Sequence, residues 1–253
     1  MYIRSRENKL IKQIIKLADK KYRDLANEFI IEGKKFVEEI PPTWQINKIV
    51  ISESFALAQK NYANVFILPD KLFSQISNTK NPQGIMAICQ KKFFSLDSID
   101  LGKNSLIIAA ENINDPGNLG TLIRSCAAFN VSALLLSKDS VDLYNPKVLR
   151  SCAGNIFKLP IVNNLDFNEA LPYFKSHGFK IFATSGQAKK NCFDAHFNSK
   201  SIIIMGNEAN GICPATLKFA DELVKIPMAN NVESLNICAA ASILLYEAFV
   251  QRR

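Results

Sequence analysis

The run "NINDPGNLGTLIRSCAAFNV" (112–131) sets a tight turn, Asp115-Pro116-Gly117-Asn118, directly before a helical pattern that carries one arginine, Arg124. The apolar run Leu106-Ile107-Ile108-Ala109-Ala110 precedes it and reads as a buried strand. Strand, glycine turn and helix open many nucleotide sites. Gly117 and Gly120, however, lack the G-x-G-x-x-G spacing of a dinucleotide fingerprint. Unusual clusters recur where other predicted strands end: Thr184-Ser185-Gly186, Gly206-Asn207-Glu208 and Met228-Ala229-Asn230-Asn231. Open α/β sheets bind ligands beyond the C-terminal ends of their strands. The six cysteines are far apart, with no C-x-x-C pair, so no metal site is expected. They read as reduced core thiols.

The elements that must position these clusters fall into two α/β blocks. In the first, strands are predicted at 28–33, 46–52, 64–69 and 84–89. Helices are predicted at 5–21, 34–40, 54–61 and 70–77. Residues 93–105 show no sustained period and read as a linker. In the second block, strands are predicted at 105–110, 131–136, 179–184, 201–205 and 223–227. Their near-continuous Ile, Leu, Val and Ala suit a parallel sheet buried on both faces. Helices are predicted at 118–129, 145–153, 168–177 and 235–250. The last is apolar nearly all round, with Glu247 its only charge, so every side of it must be covered. Either its own domain covers it or a second subunit does; a homodimer through 235–250 is the expectation.

The chain carries a net charge of +8, and residues 1–95 hold 16 Lys and Arg against 9 Asp and Glu. A basic excess gathered in the first third fits a polyanion contact or a solvated basic face. No apolar stretch approaches the roughly 20 residues of a membrane span, and the N-terminus has no signal-like apolar region. A cytoplasmic protein without membrane contact is expected.

Three segments stand in series: 112–131, "IIIMGNEANGI" (202–212) and "IPMANNVESLNICAAASILLYE" (226–247). In order and spacing they resemble motifs of the SpoU (TrmH) family of RNA ribose 2′-O-methyltransferases, in the SPOUT superfamily. "NPKVLRSCAGNIFKLPI" (145–161) is similar to a further family segment. Residues 5–39 look like the substrate-binding domain often fused before the catalytic one. The resemblance implies an RNA substrate-binding domain over 1–92, a linker over 93–104 and a catalytic domain over 105–253. It also implies an α/β sheet whose C-terminal part is threaded through a loop as a trefoil knot. S-adenosylmethionine would bind there, along Thr184, Ser185 and Gly186, Met205, Gly206 and Asn207, and Ile226, Met228 and Leu235. The three apolar residues would sandwich its adenine.

The resemblance further assigns catalysis to Asn118, Arg124, Glu208, Ser234 and Asn236. A helix break at Asn118 would let Asn118 and Arg124, six residues apart, reach one pocket. Guanidinium stays protonated, so Arg124 is expected to bind a neighbouring phosphate and polarise the 2′-hydroxyl rather than take its proton. Asn118, Ser234 and Asn236 would orient the arginine and the ribose; Ser234 could also cap the last helix. Glu208 would orient Arg124 or bond loop amides. RNA phosphates would meet Arg4, Arg6, Lys9, Lys12 and Arg23, with Lys147 and Arg150 nearer the site. Ribosomal RNA is the favoured substrate. Transfer RNA, a non-catalytic RNA-binding protein of the same fold and a Rossmann dehydrogenase are the rivals.

Overall fold

The computed structural model describes residues 1–58, 65–207, 210–229, 232 and 234–253. Contacts divide the chain into two units, 1–92 with 144–157, and 93–143 with 158–253.

The first unit opens with two short helices, α1 (Lys9–Lys16) and α2 (Lys20–Ala26). The sequence predicts one helix over 5–21 here, and the chain breaks it. Asn8 caps α1, and Asp19 caps α2 by accepting from the Lys21 amide at 2.9 Å. Arg23 explains the stop. It is 2% exposed, and its guanidinium donates to the carbonyls of Leu17 (2.9 Å) and Ala18 (2.7 Å), just past the end of α1. Helix-end carbonyls need such a donor when buried. Arg23 is therefore a structural cap and no RNA contact, which corrects the expectation for it.

The unit continues through β1 (Glu28–Glu32), α3 (Lys34–Glu38), β2 (Ile46–Ser52) and α4 (Glu53–Ala58). The predicted end of α4, at 59–61, lies outside the described residues. Then come β3 (Val65–Leu68), α5 (Asp70–Ile76) and β4 (Ile85–Gln90). The strand order is β1-β4-β2-β3, with β4 antiparallel to both neighbours and β3 parallel to β2. Leu10, Ile11 and Ile14 of α1 pack with Leu72, Phe73 and Ile76 of α5 in one core over this sheet.

The second unit begins with β5 (Leu106–Ala110) and α6 (Pro116–Ala128), then β6 (Ala133–Ser137). The segment 144–157, with α7 (Pro146–Cys152), packs with the first unit instead. Its Tyr144 ring meets Phe29 at 4.6 Å and its Phe157 meets Trp44 at 4.9 Å between centroids. The chain returns through β7 (Ile161–Leu165), α8 (Phe167–Ser176), β8 (Lys180–Thr184) and β9 (Lys190–Asn191). It ends with β10 (Ser201–Met205), α9 (Pro214–Leu217), β11 (Glu222–Lys225) and α10 (Ile237–Gln251). The seven strands lie in the order β7-β6-β5-β10-β8-β11-β9, and every pairing is parallel. β5, β6 and β10 are buried at every residue, as their unbroken apolar runs require. Residues 93–104 are no loose tether: Ile99 is buried in this unit's core, with Phe94, Leu96 and Leu101 packed against it.

Candidate functional site

Three loops leave the C-terminal ends of β8, β10 and β11 side by side, because those strands are neighbours in one parallel sheet. They enclose a cavity of about 590 Å³, within the usual size of a small-molecule site. All nine residues expected to hold a cofactor line it: Thr184, Ser185, Gly186, Met205, Gly206, Asn207, Ile226, Met228 and Leu235. Asn210, Gly211, Ile212 and Gln187 line it too and were not anticipated. The Asn210-Gly211 pair is a turn signature that could have marked them.

The loop after β10 is held from three sides. Asn207 and Gly211 exchange backbone hydrogen bonds at 3.1 and 2.8 Å. The Asn207 side chain donates to the Asn112 carbonyl at 2.8 Å. Glu111, 6% exposed at the end of β5, accepts from the Cys213 amide at 2.7 Å and the Thr216 hydroxyl at 2.5 Å. Buried carboxylates persist only when paired or hydrogen-bonded. Glu111 is a positioning residue that motif matching overlooked; a lone acid ending an all-apolar strand was its signal.

The chemistry of the lining fits S-adenosylmethionine. Lys225 is the one charged side chain among the described lining residues, and the rest of that lining is neutral. Ile226, Met228, Leu235 and Ile212 offer an apolar wall, and Met228 is 38% exposed, leaving apolar surface for a ring to cover. A Cβ on Gly206 would lie within 2.5 Å of the Gly211 carbonyl oxygen and the Ile212 nitrogen. That is a backbone cradle which any side chain would fill.

The expected catalytic residues divide. α6 starts at Pro116 under an Asp115 cap that accepts from the Asn118 amide at 2.9 Å, so there is no break at Asn118. Asn118 and Arg124 share one continuous helix, about 120° apart around its axis. Asn118 faces α10: the Asn236 side chain donates to its Oδ1 at 3.2 Å, and the Cys238 thiol donates to its carbonyl at 3.1 Å. The same α6 face bonds further along, Ser125 to Ser242 at 2.9 Å. Asn236 also caps α10, accepting from the Cys238 amide at 2.9 Å, so Ser234 is not the cap. Ser234 instead lines the cavity. Arg124 lies on the solvent face of α6 with Thr121 and Ala128, and does not line the cavity. Glu208 lies outside the described residues, as do Asn230 and Asn231. Burial, with a smaller push from Cys238, raises the Cys126 thiol far above its ordinary range, so it is no nucleophile.

Of the expected RNA contacts, Arg4, Arg6, Lys9, Lys12, Lys147 and Arg150 are exposed. Lys147 and Arg150 sit in the 144–157 segment, and so belong to the first unit.

A seven-stranded parallel sheet with a mixed polar and apolar cavity at the strand C-termini defines an α/β protein built to hold a small ligand there. The chain belongs to the SpoU rRNA Methylase family, whose model matches residues 105–246. Residues 8–87 match the MRM3-like substrate binding domain. Among its relatives is the 23S rRNA (guanosine(2553)-2′-O)-methyltransferase RlmP of Bacillus subtilis, 30% identical over 96% of this chain and 97% of that one. Another is a 23S rRNA (uridine(2479)-2′-O)-methyltransferase of Streptomyces viridochromogenes, 26% identical over 93% of this chain and 87% of its own. The crystal structure of the SpoU methyltransferase AviRb from Streptomyces viridochromogenes, in complex with the cofactor AdoMet, has a TM-score of 0.88 at 25% identity. It covers 97% of this chain and 98% of that one.

Proposed function

We propose that the protein methylates a ribose 2′-hydroxyl in ribosomal RNA, with S-adenosylmethionine as donor. The observation that carries this reading is the three-loop cavity lying beside the Asn118–Asn236 pair. Thr184 to Gly186, Met205 to Asn207, and Ile226, Met228 and Leu235 would hold the cofactor. Bound there, it supplies an electrophilic methyl carbon with a neutral thioether leaving group. The chain's own part is positional. Asn118, Ser234 and Asn236 orient the ribose, and Arg124 takes the neighbouring phosphate and polarises the hydroxyl. Holding two reactants in line lowers such a barrier by roughly 7–11 kcal/mol. Glu208 remains assigned to orienting Arg124. Residues 1–92 capture RNA through Arg4, Arg6, Lys9 and Lys12, joined by Lys147 and Arg150, while the rest of 105–253 carries out the transfer. The protein acts in the cytoplasm, beside the RNA it modifies. The two relatives modify a guanosine and a uridine, so the ribose and its phosphates are what such enzymes share. The test is tritium transfer from labelled cofactor to ribosomal RNA, with the site mapped in cells with and without the gene. Cofactor binding without transfer to any ribosomal or transfer RNA rejects the enzymatic reading, and transfer to transfer RNA alone rejects the substrate.

The chain also forms a homodimer through α10. Ile243 (41% exposed), Tyr246 (60%) and Val250 (48%) stay uncovered on a helix with no polar side to give to water. Sedimentation should give a dimer, and Tyr246→Glu should shift it toward monomer; a monomeric wild type ends the proposal. The C-terminal part of the chain is threaded through a loop as a trefoil knot, a reading that the packing of α10 against α6 supports. An electron-density trace passing outside that loop would reject the threading.

A further inference from the structure

A second cavity, of about 500 Å³, opens in the first unit between α1 and α2. Lys9, Lys12 and Lys16 line it from one face of α1, at i, i+3 and i+7. Leu17, 2% exposed, Tyr22, and Leu25, 74% exposed, supply the rest of the lining the argument needs. The Lys16 and Lys21 ammonium groups stand 5.3 and 5.9 Å from the centre of the Tyr22 ring. Of the nearby acids, Asp24 pairs with Lys20 and Lys91, while Glu7 pairs with the groove's own Lys12 at 2.5 Å, an exposed ion pair of little strength that a phosphate can replace. Among the described residues no carboxylate pairs with Lys9 or Lys16.

We propose that this groove takes one unpaired base of the RNA substrate, stacked on Tyr22, with Lys9, Lys12 and Lys16 on the flanking phosphates. The ligand class rests on the RNA-methyltransferase reading; the place and the unpaired base are new. Lysines alone would serve a duplex, whose bases are stacked out of reach. An aromatic ring and an exposed leucine between those lysines suit a base that has left its stack. The ammonium over Tyr22 holds the place the base would take, since both are drawn to the ring face.

The test titrates the full chain with a short labelled single-stranded RNA of mixed sequence and with a labelled duplex of equal length. Tyr22→Ala should weaken the single strand about tenfold and leave the duplex nearly unchanged. Tyr22→Phe should restore binding, and Leu25→Glu, at an exposed position that tolerates change, should weaken the single strand again. Equal weakening of both RNAs, or none from either Tyr22→Ala or Leu25→Glu, overturns the assignment. The second of those results is also what a groove made for a protein partner would give. A wild type that binds S-adenosylhomocysteine but neither RNA would instead bring down the substrate reading itself.

Discussion

Arg124→Ala should bind S-adenosylhomocysteine as tightly as the parent chain and transfer methyl groups about 10²–10³-fold more slowly. The two halves of that result have separate causes. Arg124 lies outside the cofactor cavity, on the solvent face of α6, so its loss removes no cofactor contact. Among the described residues its guanidinium has no ion pair or hydrogen bond, so its truncation leaves no buried partner stranded and stability should hold. What it can engage is substrate. Exposed, always charged and fork-shaped, it would suit a phosphate oxygen if the proposed ribose sits beside the Asn118–Asn236 pair. Arg124→Lys keeps the charge but not the fork, and should recover only part of the rate. Calorimetry with S-adenosylhomocysteine and single-turnover methyl transfer measure the two halves. The salt dependence of RNA binding should also flatten, by about one phosphate contact. Unchanged turnover removes Arg124 from the reaction, and lost cofactor affinity moves it into the cavity.

What could be foreseen follows the range of the forces involved. β5, β6 and β10 were legible because a strand buried on both faces must be apolar throughout, and that is local in the sequence. β7 was not: "IVNNL" is buried only at its first two residues, and its asparagines look like loop. β9, two residues long, exists only through its pairing with β11. The break between α1 and α2 depends on Arg23 folding back onto Leu17 and Ala18, a contact that no helical period reveals. The placing of 144–157 in the first unit rests on Tyr144 and Phe157 meeting Phe29 and Trp44, more than a hundred residues earlier. The nine residues expected to hold the cofactor follow from the family resemblance. Composition could name the strand ends but not which strands are neighbours. Glu111 escaped because its partners, Cys213 and Thr216, are brought to it by the β5–β10 pairing alone.

Gly206, the first residue after β10, leaves no room for a side chain in the cavity. In Gly206→Ala the new methyl would stand within 2.5 Å of the Gly211 carbonyl oxygen and the Ile212 nitrogen. Both are backbone atoms, so no side chain can swing away. Residues 211 and 212 must move, and the Asn207–Gly211 bridge and the Ile212 wall move with them. Overpacking of this kind costs about 1–3 kcal/mol, and here the strain falls on the loop that shapes the site. Affinity for S-adenosylhomocysteine should drop about 10- to 100-fold and methyl transfer with it. RNA binding by the first unit should be untouched. Gly211→Ala is the instructive companion. A Cβ there meets nothing within 4 Å, but the residue sits at φ +66°, so the cost is backbone strain on the free protein rather than intrusion into the cavity. It should lower the melting temperature and spare most of the cofactor affinity. If Gly206→Ala binds S-adenosylhomocysteine at full strength, the space between the three loops is not where the methyl donor sits, and the roles given to Asn118, Ser234 and Asn236 beside it lose their ground.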